Sequence, residues 1–133
     1  MIIIRNKLIP VKGFSMLNIL GVVFVREGAE INPTRLRHEA IHTAQQYEIM
    51  TLSALVALVL CNVWASWWYL LGVVLLPFVL YIVAWLVALA LPPYDRAYKD
   101  SLFEREAYGN QYNTDYLVTR PPFAWLKYLN QNV

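Results

Sequence analysis

From Ile49 to Tyr94 the chain runs without one Asp, Glu, Lys, Arg or His. A single α-helix of that length, rising 1.5 Å per residue, would reach about twice the ~30 Å hydrocarbon thickness of a bilayer. One crossing is too few for the run, and two fit. Apolar residues make up 59% of the chain and charged ones 15%, against roughly 45–50% and 25% in ordinary soluble domains, and the excess is concentrated in this run. The expected break is Cys61-Asn62-Val63-Trp64-Ala65-Ser66-Trp67-Trp68-Tyr69, which holds the only Asn of the run beside Trp and Tyr residues of the interfacial kind. The second span is expected from about Trp67 to Leu91, ending at Pro92-Pro93, with a kink at Pro77 that neighbouring helices tolerate in lipid. The first, about Ile49 to Val63, is short. It calls for local thinning of the bilayer or for the preceding helix to sink partly into the interface. A soluble protein with a buried apolar hairpin is the competing expectation, and the length of the uncharged run disfavours it.

The charges give the hairpin an orientation. Six of the eleven Lys and Arg precede the run (Arg5, Lys7, Lys12, Arg26, Arg35, Arg37) and five follow it (Arg96, Lys99, Arg105, Arg120, Lys127), with none at the tip. Positive residues mark the cytoplasmic side, so both termini are expected in the cytoplasm and the tip outside, as in a multi-pass protein of the inner membrane. The formal charge of +2 is too small to argue for a nucleic-acid partner. The start, Met1-Ile2-Ile3-Ile4-Arg5, lacks the apolar core and cleavage site of a secretory signal. Cys61 has no second cysteine to pair with and is expected to be inert packing.

With 133 residues the chain makes one domain, and its fold class is expected to be an α+β integral membrane protein. Residues 1–31 read as a β-hairpin: Met1–Ile9, a turn at Pro10 to Gly13, and Ile19–Arg26 before Glu27-Gly28. Residues 32–48 form a helix with Asn32 as N-cap and Pro33 at its first position, continuing into the first span. Residues 49–93 are the transmembrane hairpin. Residues 94–133 are helical, with one helix from Asp95 to about Gln111. A short one through Phe123, Trp125, Leu126, Tyr128 and Leu129 either lies on the membrane surface or packs against the domain.

The only two histidines of the chain fall in His38-Glu39-Ala40-Ile41-His42. Four residues apart on a helix, they share a face and can reach one ion, while Glu39 sits slightly off that face, where a carboxylate can take a proton from an activated water. A catalytic zinc usually has three protein ligands. With no third histidine, and Cys61 inside the apolar run, the third must be a carboxylate or come from a partner. Glu104 and Glu106 in Phe103-Glu104-Arg105-Glu106-Ala107-Tyr108 are the candidates.

HExxH followed downstream by E-x-x-A resembles the gluzincin zinc metallopeptidases, including the membrane-embedded CaaX-processing and heat-shock peptidases. The chain is also similar to small two-span bacterial membrane proteins of the same layout, which lend no activity. The gluzincin resemblance implies Zn2+ held by His38, His42 and Glu104, with Ala107 as the small residue that lets the two helices approach. The Asp that follows Ala in that family is Tyr108 here. If that Asp braces a zinc-binding histidine, this site has lost or relocated the brace, with Asp100 and Asp115 as candidate substitutes. A two-span hairpin returns the chain to its starting side, where Glu104 can meet the histidines.

The implied reaction is peptide-bond hydrolysis of a peptide or membrane protein, with Glu39 as general base and Tyr108, or Tyr112 one turn on, as a donor to the carbonyl oxygen. Interfacial packing is the ordinary role of such tyrosines. Ile19–Arg26 is expected either to offer an edge to an extended peptide or to cover the metal helix. Glu106 is the fallback ligand if the register is shifted, and otherwise is solvated or paired with a basic neighbour. Gln45, Gln46 and Glu48 are expected to hydrogen-bond near the interface, and Arg35 and Arg37 to face lipid phosphates. The alternative function is a non-catalytic, zinc-stabilised membrane scaffold or regulator, and an oligomer is compatible with either. Retention of Glu39, which zinc binding does not need, favours the enzyme.

Overall fold

The computed structural model describes residues 1–10, 14–64, 66–90, 99 and 101–129. Three short strands, β1 (Ile2–Asn6), β2 (Met16–Ile19) and β3 (Val22–Arg26), precede two long helices, α1 (Pro33–Trp64) and α2 (Trp68–Ala90). Then come α3 (Leu102–Asn110), α4 (Tyr116–Thr119) and a 3-10 helix over Ala124–Leu129. The fold is thus mixed α and β, with a small sheet and mostly helices.

The sheet departs from the expected hairpin. Its order is β1-β3-β2, with β1 parallel to β3 and β2 antiparallel to it. Met1–Ile9 and Ile19–Arg26 therefore do pair, but in the same direction. The hairpin is instead β2–β3, closed by Leu20 and Gly21 at φ 51° and 83°, the double positive φ of a two-residue type I′ turn. The cue was in the sequence: a residue pair ending in Gly between two apolar runs. The β-branched stretch Ile19–Arg26 masked it by reading as one strand. A second correction follows, because β3 is central and has no edge to offer; the free edges belong to β1 and β2.

Val23 and Val25 are fully buried on the sheet face turned to α1, and Asn18, the partner of Val23 in the ladder, fastens that face. Its side-chain amide donates to the Glu39 carbonyl and, at 2.8 Å, to Thr43 Oγ1. Gln46 accepts from the Leu20 N–H at 2.7 Å and donates to the Asn18 carbonyl at 3.2 Å. The Tyr47 hydroxyl donates to the Leu20 carbonyl at 3.0 Å. Buried backbone groups of the turn are thereby satisfied by the helix. A Cβ on Gly21 would sit 3.3 Å from Thr43 Cγ2, so the turn and α1 approach as closely as glycine allows.

Asn32 and Pro33 start α1 as expected: Asn32 Oδ1 accepts the Arg35 N–H at 2.9 Å. The helix runs 32 residues without a break, about 48 Å, its polar half carrying the histidines and its uncharged half beginning at Ile49. After a short turn α2 folds back along it and continues through Pro77. By length and composition α1 is apolar enough to cross a membrane, with mean hydropathy 1.5, and Trp68–Ala84 is a shorter apolar helix. Leu55, Leu58, Val59, Leu71, Val74, Ile82 and Val87 all stand with 45% or more of their surface exposed.

The stretch expected to open a helix at Asp95, and the Pro92-Pro93 stop, lie outside the described residues. From Leu102 the helix is present as α3. Phe103 stacks on Tyr81 of α2 with centroids 4.2 Å apart and meets Trp125 of the 3-10 helix at 5.3 Å. The aromatic segment near the C-terminus therefore packs against the domain, one of its two expected roles.

Candidate metal centre

His38, His42, Gln45, Ile49, Ser53 and Ala57 of α1 are buried and follow one another at three or four residues, which makes one stripe down the helix, with Ile41 and Gln46 beside it. The first three positions of the stripe are polar, and each demands a partner. Those partners come from α3, whose buried face is Phe103, Glu104, Glu106 and Ala107. Ala107, fully buried, is the small contact residue the sequence suggested.

His38, His42 and Glu104 converge. The two Nε2 atoms are 3.1 Å apart, His38 Nε2 is 3.2 Å from Glu104 Oε2, and His42 Nε2 is 3.3 Å from Glu104 Oε1. Ligand atoms about 2.0–2.1 Å from a tetrahedral zinc lie about 3.3–3.4 Å from one another, so the donors are spaced close to what one small ion needs. The same distances also suit ion pairs, as in a carboxylate beside a protonated imidazole. Glu104 Oε2 is buried, and its 3.2 Å approach to His38 Nε2 does not meet hydrogen-bond geometry, so the ion pair alone leaves that oxygen poorly satisfied. Two imidazole nitrogens and a carboxylate form a donor set that zinc accepts.

The electrostatics are those of a tight triad. Burial acts to raise the Glu104 pKa, and the two imidazoles beside it outweigh burial and hold it at about 2. Burial acts to lower that of His42, and Glu104, with help from Glu39 and Gln45, raises it instead. Glu39 is raised chiefly by burial, which the neighbouring histidines oppose and Glu104 reinforces.

Glu39 and His38 open onto a cleft of about 580 Å³ whose walls include Met16 of β2, Asn32, Arg35, Tyr108 and Tyr112. The Glu39 carboxylate has no hydrogen-bond partner among the described residues. Tyr108 sets its ring edge-on to His38 at 4.7 Å. Its hydroxyl pKa is raised by burial first and by Glu104 and Glu39 next. Tyr112 is mostly exposed at the rim. The free edge at the cleft is β2, which takes the place expected for Ile19–Arg26.

Glu106 takes one of its expected roles: it is fully buried, neither solvated nor turned to the histidines, and pairs with Arg120 while accepting from Gln45 and Tyr116. Other residues find different places. Arg37 donates to the Gln111 carbonyl at 2.8 Å and Arg35 to that of Glu30 at 3.0 Å. Asp115 is exposed at the start of α4, far from a bracing role, and Asp100 lies outside the described residues. Sequence reasoning missed a buried cluster in which Arg120 bridges Glu48 of α1 and Glu106 of α3. It also missed Tyr81, whose hydroxyl reaches Gln45 Oε1 at 2.5 Å. The available signal was Gln45, a polar residue three positions beyond His42 on the buried stripe. Comparison with protein-family models, curated proteins and solved structures returns no match.

Proposed function

We propose that this chain is a membrane-embedded, zinc-dependent metallopeptidase of gluzincin type that works at the cytoplasmic face of the inner membrane. The observation that carries the reading is a carboxylate at an open cleft beside three converging donors: Glu39 next to His38, His42 and Glu104. Binding a metal requires the three donors but not Glu39.

His38, His42 and Glu104 would hold the ion. When bound, zinc supplies Lewis acidity toward a water and toward a substrate carbonyl. Glu39, its pKa raised by partial burial, takes the proton of the attacking water and returns it to the leaving amine, a role that favours a base tuned toward neutrality. Tyr108 lines the same cleft, and its hydroxyl would donate to the carbonyl oxygen as charge builds there. An extended peptide added to the edge of β2 would run along the cleft past Glu39. The exposed apolar side chains of α1 and α2 suit lipid, which leaves the metal site at the membrane surface on the side of both termini.

The test is Glu39→Gln in detergent-purified protein. Zinc content should stay stoichiometric while cleavage of a pool of membrane-associated peptides falls by about 100-fold or more. Equal cleavage by wild type and variant would remove the base role. Zinc binding without cleavage by either would make the chain a zinc-stabilised scaffold.

A further inference from the structure

The amide of Gln45 can be oriented without ambiguity, and its orientation dictates the state of His42. The side chain is fully buried. Its Nε2 lies 3.1 Å from the Phe103 carbonyl and 2.9 Å from Glu106 Oε2, and both of those oxygens accept hydrogen bonds. Its two N–H groups are thereby used. Oε1 then faces the Tyr81 hydroxyl at 2.5 Å and His42 Nδ1 at 2.8 Å. An amide oxygen has only lone pairs to offer; the single Tyr81 proton goes to Oε1 at 2.5 Å over His42 Nδ1 at 3.3 Å, and Nδ1, facing the same oxygen, donates to it as well. Turning the amide over would set its oxygen against two acceptors in a buried site, forfeiting both bonds at once.

We propose that Gln45 is the positioning residue of the metal centre: by accepting from Nδ1–H it holds His42 in the tautomer whose Nε2 lone pair points at Glu104 and His38. This rests on the metal reading above for its purpose, although the tautomer is a property of the metal-free protein too. A metal-binding histidine ordinarily donates its other N–H to a carboxylate, carbonyl or water. Here a neutral amide does so, in a pocket that already carries the carboxylates Glu39, Glu104 and Glu106. A further anion beside His42 would add like-charge repulsion, which the amide avoids.

The brace is itself anchored. Glu106 also accepts from the Tyr116 hydroxyl at 2.9 Å and from Arg120 Nε at 2.5 Å. Arg120 reaches on to Glu48, which accepts the Phe123 N–H at 2.9 Å and Trp125 Nε1–H at 3.1 Å. The segment after α3 thus fixes Gln45 through Glu106. His38 has no such support, since its Nδ1 lacks a partner among the described residues. Among the described residues the bracing is specific to one of the two histidines.

The experiment is ¹⁵N-histidine NMR of the full chain in micelles, metal-free at alkaline pH and with zinc added, with resonances assigned through His38→Gln. His42 Nδ1 should show the protonated, pyrrole-type signal in both states, and Nε2 the pyridine-type signal that moves on adding zinc. A pyridine-type Nδ1 in the metal-free protein overturns the proposal. Gln45→Met should lose the single tautomer and weaken zinc binding, by chelator competition, about 10- to 100-fold. An unchanged tautomer in Gln45→Met overturns the proposal, and if that variant does not fold the wild-type spectrum decides. Failure of the wild type to bind zinc refutes the metal reading, and the metal-free spectrum still decides the tautomer.

Discussion

Replacing Arg120 by Met removes the cation that, among the described residues, is shared by the buried Glu106 and the largely buried Glu48. The Arg120 side chain is 5% exposed, that of Glu48 16% and that of Glu106 0%, so water is a poor substitute for the guanidinium. Removing one partner of a buried ion pair costs about 3–5 kcal/mol, because the charge left behind is uncompensated. Two charges are left here, which pushes toward the upper end. Against that, Glu48 keeps the Phe123 N–H and Trp125 Nε1–H, and Glu106 keeps Gln45 and Tyr116. Those retained donors bring the expected loss to about 3 kcal/mol. The triple variant Arg120→Met, Glu48→Gln, Glu106→Gln carries no buried charge in the cluster and should recover all but about 1 kcal/mol. Urea unfolding in mild detergent micelles, followed by near-ultraviolet circular dichroism, measures both. A single variant within about 1 kcal/mol of wild type, or a triple variant as unstable as the single, refutes the assignment of Arg120 to a buried electrostatic centre.

Glu104→Gln and His42→Ala should each abolish stoichiometric zinc binding, and retention of zinc by Glu104→Gln would return Glu104 to a mere ion-pair partner. In the metal-free protein, Glu104 has its pKa lowered from 4.5 to about 2, so its contribution to stability is complete above pH 4.5 and is lost as pH falls toward 2. His42 is raised above 6.5, so its contribution is complete below pH 6.5 and fades as pH rises through the raised value. Thermal stability without metal should therefore peak between about pH 4.5 and 6.5, and a stability that rises steadily above that window would contradict the triad. Gly21→Ala should cost about 1–2 kcal/mol from the left-handed backbone alone, measurable in the same urea titration. A nitroxide at Val59, 63% exposed on α1, should be relaxed by oxygen and not by a water-soluble nickel chelate, and the reverse would place that surface in water.

The parts of this molecule legible in sequence are those written in local chemistry. Asn32-Pro33 names its helix start because a cap is a two-residue event. His38, Glu39 and His42 name a face because four residues make a turn. Glu104 is legible because a hairpin of two helices returns the chain to the end of α1 that carries the histidines. The rest depends on long-range partners. The parallel pairing of β1 with β3 leaves no trace in either strand, and β2 vanished into a β-branched stretch whose turn is only Leu20-Gly21. Arg120 read as a topology charge because nothing near it says that two carboxylates, 14 and 72 positions away, will close around it. Gln45 was assigned to interfacial hydrogen bonding because its burial becomes evident only once α3 is laid over it.

The α1–α2 hairpin has a consequence for chain entropy. Between His42 and Glu104 lie some 60 residues, and bringing the ends of a flexible loop together grows costlier as its length increases. With α1 and α2 already formed and packed, the separation along the chain that counts shrinks to the eleven positions between Ala90 and Leu102. A roughly sixfold shorter separation spares about 1.5 kcal/mol of closure entropy, more than tenfold in the population of the closed triad. The apolar hairpin therefore acts as a long, rigid ruler folded in half, and it brings Glu104 to the histidines at a fraction of the entropy that the full separation would demand.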